Sequence, residues 1–533
     1  MRLLEFVDTP RERLSDGRMK VCLVRGALVS PKGSINNEPT PPIGLAYIAA
    51  TLKAAGWSVQ GIDATGAALN RIDAIPGTGL QANGISIDEV VDRIDPDTQV
   101  IGLSIMFSHE WVYQRALATA IKRRFPRAIL VAGGEHCTAL PEYSIGDCPA
   151  LDYIALGEGE DAMAELCRAV AAGTDPATVA GLAIRGADGV VRTPPRARIR
   201  ELDQVPWPDW EVFPIEPYLA GNISFGASFG RNMPILASRG CPYQCTFCSN
   251  PAMWTTRYVM RSPVDVIAEI EHYQERFGIT GLQFYDLTAI VKKQWIIEFC
   301  QQLVARDIAL DWSLPSGTRS EALDEEALSW IARANGRYLV YAPESGSQAT
   351  LKRIKKKIRL DHMERSMRAA VREGIVVRTN IIIGFPDESR REIFETLRAL
   401  VRFAWIGVDE IALGLFQPYP GTELFEALRR RGAIALSDDY FETLAHFSTG
   451  KLSPSTASVC DAVGRYELFC YRVLGTLLFL ALSYLLRPVR IWRTIHNIGF
   501  TDRSSTVVEQ RIRDRLRRKR AMVAPRASLP LRE

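Results

Sequence analysis

The chain has 533 residues, a formal net charge of +4 and 47% hydrophobic residues, a balance typical of two or three globular domains. So small a net charge excludes a chain that is basic throughout, and no nucleic-acid partner is expected. Residues 1–17 are mixed and charged without an apolar core, so no secretory signal is indicated and a cytoplasmic location is expected. In that compartment thiols stay reduced, and the ten cysteines are not expected to form a disulfide framework.

The first part of the chain alternates short apolar segments with helical ones. Strands are predicted at 21–24, 59–62, 100–105, 128–132 and 152–156, and helices at 43–55, 111–125 and 162–171. This alternation predicts a parallel, doubly wound, Rossmann-like sheet over residues 18–190. Ligands of such sheets bind beyond the carboxyl ends of the strands, where the loops 30–42, 104–110, 133–138 and 157–160 are expected.

A second alternating series follows a connector. Residues 191–232 contain the run VPWPDW and are predicted to be an extended interdomain linker that packs its aromatic residues. Six strands are then predicted, at 235–237, 282–285, 311–314, 338–342, 378–383 and 410–415. Six such units predict a (β/α)6 partial barrel over residues 233–430, with catalytic groups at the carboxyl ends of its strands.

Residues 431–533 are predicted to be mainly helical, with a basic tail. The run VLGTLLFLALSYLL at 473–486 stops short of the ~18 apolar residues that a spanning helix needs. A buried core helix is expected here. A helix lying in a membrane interface is the alternative, and the arginines that follow the run support it. The tail at 503–520 is either a solvated helix end or a weak contact with an anionic surface.

Three of the ten cysteines lie within eight positions, in the run RGCPYQCTFCSN at 239–250. Cys241, Cys245 and Cys248 directly follow a predicted strand, so they share one strand-end loop. Three thiolates can ligate three irons of a cubane cluster, which leaves the fourth iron open to a small chelating molecule. A structural zinc site would require a fourth ligand, and Cys300 and His272, the nearest candidates, are predicted to lie within helices.

The CxxxCxxC spacing, with Phe247 before the last cysteine, resembles the radical S-adenosylmethionine superfamily. Further segments in the expected order extend the resemblance over residues 234–426. They are Asp286 after the second strand, the ESGS segment with Glu344 and Ser345, the GFP segment with Gly384, and PYPGT at 418–422.

The resemblance implies a [4Fe-4S] cluster that cleaves S-adenosylmethionine to a 5′-deoxyadenosyl radical, which abstracts a substrate hydrogen. It also implies an external electron donor of the flavodoxin or ferredoxin type. Asp286, Arg319, Glu344 and Ser345 are the candidates for holding S-adenosylmethionine, and Phe247 and Gly384 are further candidates for cofactor contacts.

The first domain resembles the cobalamin-binding domain that precedes many radical enzymes, on the segments TPPIGLAY at 40–47, GGEHCT at 133–138 and GEGE at 157–160. The expected cobalamin contacts are Pro42, Ser104, Gly133, Gly134, His136, Gly157 and Glu158. The DxHxxG motif that ligates cobalt through histidine is absent, so cobalamin bound without histidine ligation is expected. A degenerate domain that binds nothing is the alternative.

The two-domain resemblance implies a methyltransferase that acts on an unactivated carbon of a small-molecule or lipid-like substrate. An oxidative or ring-forming radical enzyme without methyl transfer is the second hypothesis. A non-catalytic cobalamin or iron–sulfur sensor is the third. The apolar C-terminal segment adds the hypothesis of peripheral membrane contact.

Overall fold

The computed structural model describes residues 19–34, 39–448, 458–501 and 503–523, without the side chains of 446–448 and 518–523. The charged segment 1–17 and part of the predicted loop 30–42 lie outside these ranges.

Ten strands form two sheets in the first domain. They are β1 (Lys20–Arg25), β2 (Leu28–Pro31), β3 (Ser58–Asp63), β4 (Ile72–Ala74), β5 (Leu80–Asn83), β6 (Val100–Ser104), β7 (Ile129–Gly133), β8 (Tyr153–Ala155), β9 (Leu182–Gly186) and β10 (Gly189–Arg192). The helices are α1 (Ile43–Ala54), α2 (Ile87–Arg93), α3 (Trp111–Arg124), α4 (Glu135–Ala139), α5 (Pro141–Asp147) and α6 (Gly159–Ala172).

The larger sheet has the order β10-β9-β8-β7-β6-β1-β3, and its strands from β8 to β3 are parallel. Residues 21–24 of β1 are buried, as expected for a parallel strand covered by helices on both faces. The chain turns to one side after β1 and to the other after β3, and the crevice at such a switch point is a ligand site. The predicted doubly wound sheet is confirmed.

Two parts of this domain were not predicted. The strands β9 and β10 extend the large sheet as an antiparallel edge, and β2, β5 and β4 form a separate antiparallel sheet. These strands have three to five residues each, too few for a periodic pattern to show in the sequence.

The linker packs against both domains. It contains one short helix, α7 (Glu216–Ala220). The buried Trp210 donates its indole hydrogen bond to the hydroxyl of Tyr273 in the second domain, at 3.0 Å. Tyr218 donates to Asp63 at the end of β3, at 2.6 Å. Residues 191–232 therefore fix the two domains together rather than separating them.

Eight strands and eight helices make up the second domain. The strands are β11 (Asn232–Ile235), β12 (Ser238–Arg239), β13 (Val259–Met260), β14 (Gly281–Phe284), β15 (Asp311–Thr318), β16 (Gly336–Glu344), β17 (Val376–Ile383) and β18 (Glu410–Leu415). The helices are α8 (Asn250–Trp254), α9 (Pro263–Phe277), α10 (Lys293–Ala305), α11 (Glu325–Arg333), α12 (Gln348–Arg353), α13 (Leu360–Arg372), α14 (Arg390–Ile406) and α15 (Glu423–Arg430).

Six of these strands form one parallel sheet in the order β11-β14-β15-β16-β17-β18. Neighbouring strands in this sheet also follow one another in the chain order of the six strands, as in a barrel built from successive β–α units. The predicted (β/α)6 partial barrel is confirmed. The ribbon of β12 and β13 stands apart from this sheet and carries the residues that precede Cys241.

The C-terminal region is helical, as predicted, with α16 (Asp438–Ser448), α17 (Arg465–Leu486), α18 (Val489–Phe500) and α19 (Val507–Val523). The expectation that no segment is long enough to span a membrane is wrong, because α17 extends the apolar run back to Arg465 and has 22 residues. By length and composition it is the one helix of the described chain that could cross a membrane, and only 22% of its most apolar window is buried. A buried core helix is therefore not what the structure shows.

Candidate active site

The cysteine loop is held by short backbone contacts on each side. Gly240 has φ +83°, and a Cβ there would lie 2.3 Å from the carbonyl oxygen of Arg257, so the loop enters through a turn that only glycine fits. The Thr246 amide donates to the Ile354 carbonyl oxygen at 3.1 Å, and the Leu424 amide donates to the Thr246 carbonyl oxygen at 2.9 Å. The three thiols are half-buried at this loop, and Thr288 donates to the Cys241 sulfur at 3.6 Å.

This donor set suits a cluster rather than a single ion. Within the described residues, no three His, Cys, Asp or Glu side chains are placed to hold one metal ion. Three cysteine thiols on one loop are the kind of ligands that a four-iron cluster takes. Bound iron would displace the thiol protons that burial retains, because burial raises the pKa of Cys248 to about 12.

Arg319 and Glu344, two of the predicted S-adenosylmethionine residues, lie beside this loop, and the cofactor candidate Phe247 lies within it. Glu344 ends β16 with φ +67°, an uncommon backbone conformation for a residue with a side chain, and accepts a hydrogen bond from Lys356 at 2.9 Å. The Arg319 guanidinium lies 3.7 Å from the ring centre of Tyr243 within the cysteine loop. Phe247 packs edge-on against Phe385, 5.7 Å between ring centres.

The other predicted residues of this group make structural contacts. Asp286 accepts hydrogen bonds from the Ala237 amide at 3.1 Å and the Ser238 hydroxyl at 2.5 Å, so it positions the segment before Cys241. The buried Ser345 hydroxyl bonds that of Thr396 at 3.0 Å. Gly384 has φ +86° and donates its amide to Glu388 at 2.6 Å. Direct cofactor contact by these three residues stays a prediction.

A cavity of about 400 Å³ lies between the two domains, at the carboxyl ends of both sheets. Six of the predicted cobalamin residues line it, namely Pro42, Ser104, Gly133, Gly134, Gly157 and Glu158. Ser238 and Gly240, which precede Cys241, line its other side together with Tyr285 and Leu287 after β14. The loop beside the cluster and the predicted cobalamin loops therefore face one space.

Three glycines leave part of the cavity wall without side chains. Gly134 has φ +110°, and a Cβ there would lie 2.6 Å from the Ile105 carbonyl oxygen. Gly133 and Gly157 likewise present bare backbone at the cavity wall. Backbone without side chains allows a ring to approach the strand ends closely.

His136 lies apart from this cavity. Its ring nitrogens contact the hydroxyls of Ser108 and Ser144 at 3.0 and 3.3 Å, and the ring stacks on Trp111 at 4.7 Å. Burial lowers its pKa to about 3, so the ring is neutral. The structure gives no support to the predicted cofactor contact of His136. Among the residues that the structure describes, no histidine lines the cavity.

Charged residues that the sequence did not single out join the domains at the cavity. Arg239, just before the cysteine loop, pairs with Glu158 at 3.2 Å and with Glu160 at 2.6 Å. Arg198 holds the other oxygen of Glu158 at 3.2 Å. The GEGE segment was a signal for the acidic side of this cluster, but no local pattern indicated its arginine partners.

Glu110 is a second missed residue of the cavity wall. It lies at the end of the predicted loop 104–110 and accepts the Val29 amide at 3.2 Å. Burial raises its pKa to about 7, although nearby Arg25 opposes the shift. A carboxyl group in this range can hold or release a proton near neutral pH.

Known families match both domains. The B12 binding domain family matches residues 37–167, and the Radical SAM superfamily matches residues 235–400. The chain therefore belongs to the cobalamin-dependent radical S-adenosylmethionine enzymes, whose cofactors are cobalamin, a [4Fe-4S] cluster and S-adenosylmethionine.

Curated relatives resemble most of the chain. It is 27% identical over 409 residues to an uncharacterized methyltransferase of Pyrococcus horikoshii, covering 76% of this chain and 83% of that protein. It is 28% identical over 436 residues to the anaerobic magnesium-protoporphyrin IX monomethyl ester cyclase of Rubrivivax gelatinosus, covering 80% of this chain and 71% of that one.

A solved structure shares the fold. The methyltransferase TsrM from Kitasatospora setae, with cobalamin and a [4Fe-4S] cluster bound, superposes with a TM-score of 0.63 at 17% identity. The match covers 95% of this chain and all of that one. The order and packing of the two domains are therefore shared.

Proposed function

We propose that this radical S-adenosylmethionine enzyme is a C-methyltransferase acting on an unactivated carbon of a small-molecule or lipid-like substrate. The observation that carries the proposal is the single cavity lined by both the cysteine-loop side and the predicted cobalamin loops. Two reactive centres facing one space allow a substrate carbon to be activated from one side and methylated from the other.

When bound, the cluster and S-adenosylmethionine supply the hydrogen-abstracting radical, and cobalamin supplies the methyl group. The side chains and backbone of the protein position these groups. Cys241, Cys245 and Cys248 would hold the cluster, with the Glu344–Lys356 pair beside Cys245. Gly133, Gly134 and Gly157 would carry the corrin ring, and Arg239 fixes the separation of the two faces through Glu158 and Glu160.

The test is anaerobic reconstitution with both cofactors, a titanium(III) reductant and S-adenosylmethionine that carries a CD3 group. Cell extract supplies the unidentified substrate. Methyl transfer predicts S-adenosylhomocysteine and 5′-deoxyadenosine together, with a product heavier by one CD3 group. Formation of 5′-deoxyadenosine without S-adenosylhomocysteine or labelled product would contradict the proposal.

The second candidate is an oxidative ring-forming enzyme, which is favoured by the similarity to the cyclase of Rubrivivax gelatinosus. It predicts 5′-deoxyadenosine and an oxidised product with no label. The same experiment therefore separates the two candidates.

We further propose that an acidic protein of the flavodoxin or ferredoxin type donates the electron at a basic surface beside the cluster. An open pocket of about 660 Å³ there is lined by Lys352, Lys355, Lys356, Lys357 and Arg359. Lys356 contributes a positive charge near Cys245, which connects this surface electrostatically to the cluster loop. Opposite charges accelerate protein association, and salt screens them.

The test replaces Lys352 and Lys357 together by Glu and follows cluster reduction by a reduced flavodoxin. The expected result is slower reduction by the protein donor, most clearly at low salt, with unchanged reduction by titanium(III) citrate. Arg123 and Arg127 replaced by Glu, on the first domain, are the matched control. Equal rates with flavodoxin for both variants would contradict this surface.

A further inference from the structure

The exposed side of α17 is apolar from Tyr466 to Leu486. Its exposed side chains recur at helical spacing, one stripe of Tyr466, Cys470, Leu474, Leu477, Leu478, Ala481 and Leu485. Leu474, Leu477 and Leu485 are 62%, 58% and 78% exposed. A helix on the surface of a globular protein normally turns polar side chains to solvent, so this face is unpartnered.

The apolar surface continues beyond α17. On α18, Val489, Trp492 and Phe500 are 74%, 72% and 79% exposed. Trp405 on α14 is equally exposed, and Arg487 donates to its carbonyl oxygen at 3.2 Å at the junction of α17 and α18. More than half of the described large hydrophobic side chains that are exposed lie between Tyr466 and Leu516.

The opposite side of α17 is occupied by the barrel. Gly475 lies so close to Leu397 and Leu413 that a Cβ would come within 2.7 and 3.0 Å of them. Phe479 is fully buried. Because one side is packed against α14 and β18 along the helix, α17 cannot cross a bilayer without leaving the barrel. Its exposed side can therefore contact a membrane only with the helix axis parallel to the membrane surface.

The charge of this region is one-sided. Residues 465–500 contain five arginines and a single acidic residue, Glu467. Arg490 and Arg493 pair with Asp409 of the barrel at 3.3 and 2.9 Å, whereas Arg465 at the start of α17 is exposed. An apolar helical face with exposed Trp and flanking Arg is typical of helices that lie in an interface with anionic lipids.

We propose that the exposed faces of α17 and α18 form a membrane-contact surface, which inserts Leu474, Leu485 and Trp492 among the acyl chains of a bilayer containing anionic lipid. This surface holds the enzyme on the membrane without spanning it. The proposal does not rest on methyl transfer, since it requires neither cofactor nor substrate.

The first experiment is flotation of the purified full chain with vesicles of phosphatidylcholine, alone or with phosphatidylglycerol. We expect binding that is stronger to the anionic vesicles, and about tenfold weaker for the double variant Leu485→Ser, Trp492→Ser. The matched control is Val264→Ser, Val304→Ser, because these side chains are 54% and 43% exposed on barrel helices. Equal loss in both variants, or no binding of the native chain to either vesicle, would overturn the proposal.

A second measurement places the contact. Lipids brominated on their acyl chains should quench part of the tryptophan fluorescence. Trp405→Phe combined with Trp492→Phe should remove most of that quenching, whereas Trp207→Phe leaves it. Light scattering tests whether a second copy covers the face. A dimer that the Leu485, Trp492 double variant dissociates would overturn the membrane assignment.

Discussion

Burial opposes ionisation of the Cys245 and Cys248 thiols by raising the pKa of each. Burial is the largest cause of the raised pKa of Cys245, and the nearby Lys356 charge acts in the opposite direction. Since iron binds thiolates, the metal rather than the protein environment must supply most of the ionisation. The residues position the sulfurs, and the cluster completes the site.

Replacement of Cys241, Cys245 and Cys248 by Ala should abolish the iron–sulfur absorption after anaerobic reconstitution. The reason is that one loop supplies all three ligands. Iron and sulfide content are measured with the visible spectrum. Cys470→Ala is the control, because this thiol is exposed on α17 and distant in sequence. A reconstituted cluster in the triple variant would refute the assignment.

Glu388 offers a pH-dependent contribution to stability. Burial raises its pKa from the ordinary 4.5 to about 7, although the amides of Gly384 and Phe385 oppose this by donating to it. A pKa raised in the folded state means that the folded protein retains a proton that the unfolded chain releases. The stability from this neutral group is full below pH 4.5 and is lost as the pH rises through about 7.

Glu388→Gln should therefore stabilise the protein at pH 8 and leave it unchanged near pH 4. The difference is on the order of 3 kcal/mol, since Gln keeps the acceptor oxygen without the charge. Thermal midpoints across this pH range measure the effect. Glu142→Gln, at an exposed carboxylate, provides the reference. Parallel pH profiles for native and Glu388→Gln protein would show that Glu388 is not the group responsible.

At the scale of elements, the turn from β7 into α4 forms one wall of the cavity. Its Gly134 has φ +110° and lies against the Ile105 carbonyl after β6, so neither the backbone nor the space accepts a side chain. The ends of β6 and β7 can therefore lie close together because Gly134 has no Cβ. The geometry of this turn is expected to decide whether a corrin ring can settle on the strand ends.

Gly134→Ala should cost about 1–3 kcal/mol of stability and lower cobalamin retention, because it combines backbone strain with a displaced neighbouring strand. Cobalamin retained after gel filtration is measured by absorbance. Gly146→Ala is the matched control, since nothing lies within 4 Å of its added Cβ. If both variants retain cobalamin equally, the turn does not carry the ligand.

At the scale of the whole molecule, a buried ion-pair cluster sets the relation of the two domains. Glu158 and Glu160 come from the first domain, and Arg239 from the segment that enters the cysteine loop. Side-chain exposure of these three groups is 5–7%. Removal of one buried partner leaves the others charged in a poorly solvated place, which is far more costly than loss of a surface pair.

Arg239→Met should lower the free energy of unfolding by about 3 kcal/mol and loosen cobalamin, while Arg276→Met should change it by less than about 1 kcal/mol. Arg276 pairs with Glu211, and both side chains are at least half exposed. Denaturant midpoints and retained cobalamin report the two effects. Similar midpoints for the two variants would show that Arg239 does not couple the domains.

Local patterns in the amino-acid sequence were enough to predict the two alternating series, the order of their motifs and the loop that bears the three cysteines. These depend on local spacing, because apolar runs define strands and the carboxyl ends of parallel strands meet at one edge. That is why Pro42, Ser104 and Gly157 were placed correctly at the edge where the cavity lies.

The directions in which individual side chains point could not be predicted and were seen first in the folded chain. His136 follows a glycine-rich strand end yet turns into the core beneath Trp111, and Asp286 bonds the segment before Cys241. Arg239 meets glutamates about 80 residues earlier in the chain, and α17 packs one face while exposing an apolar one. Such outcomes depend on contacts between distant segments, whose energies no local pattern contains.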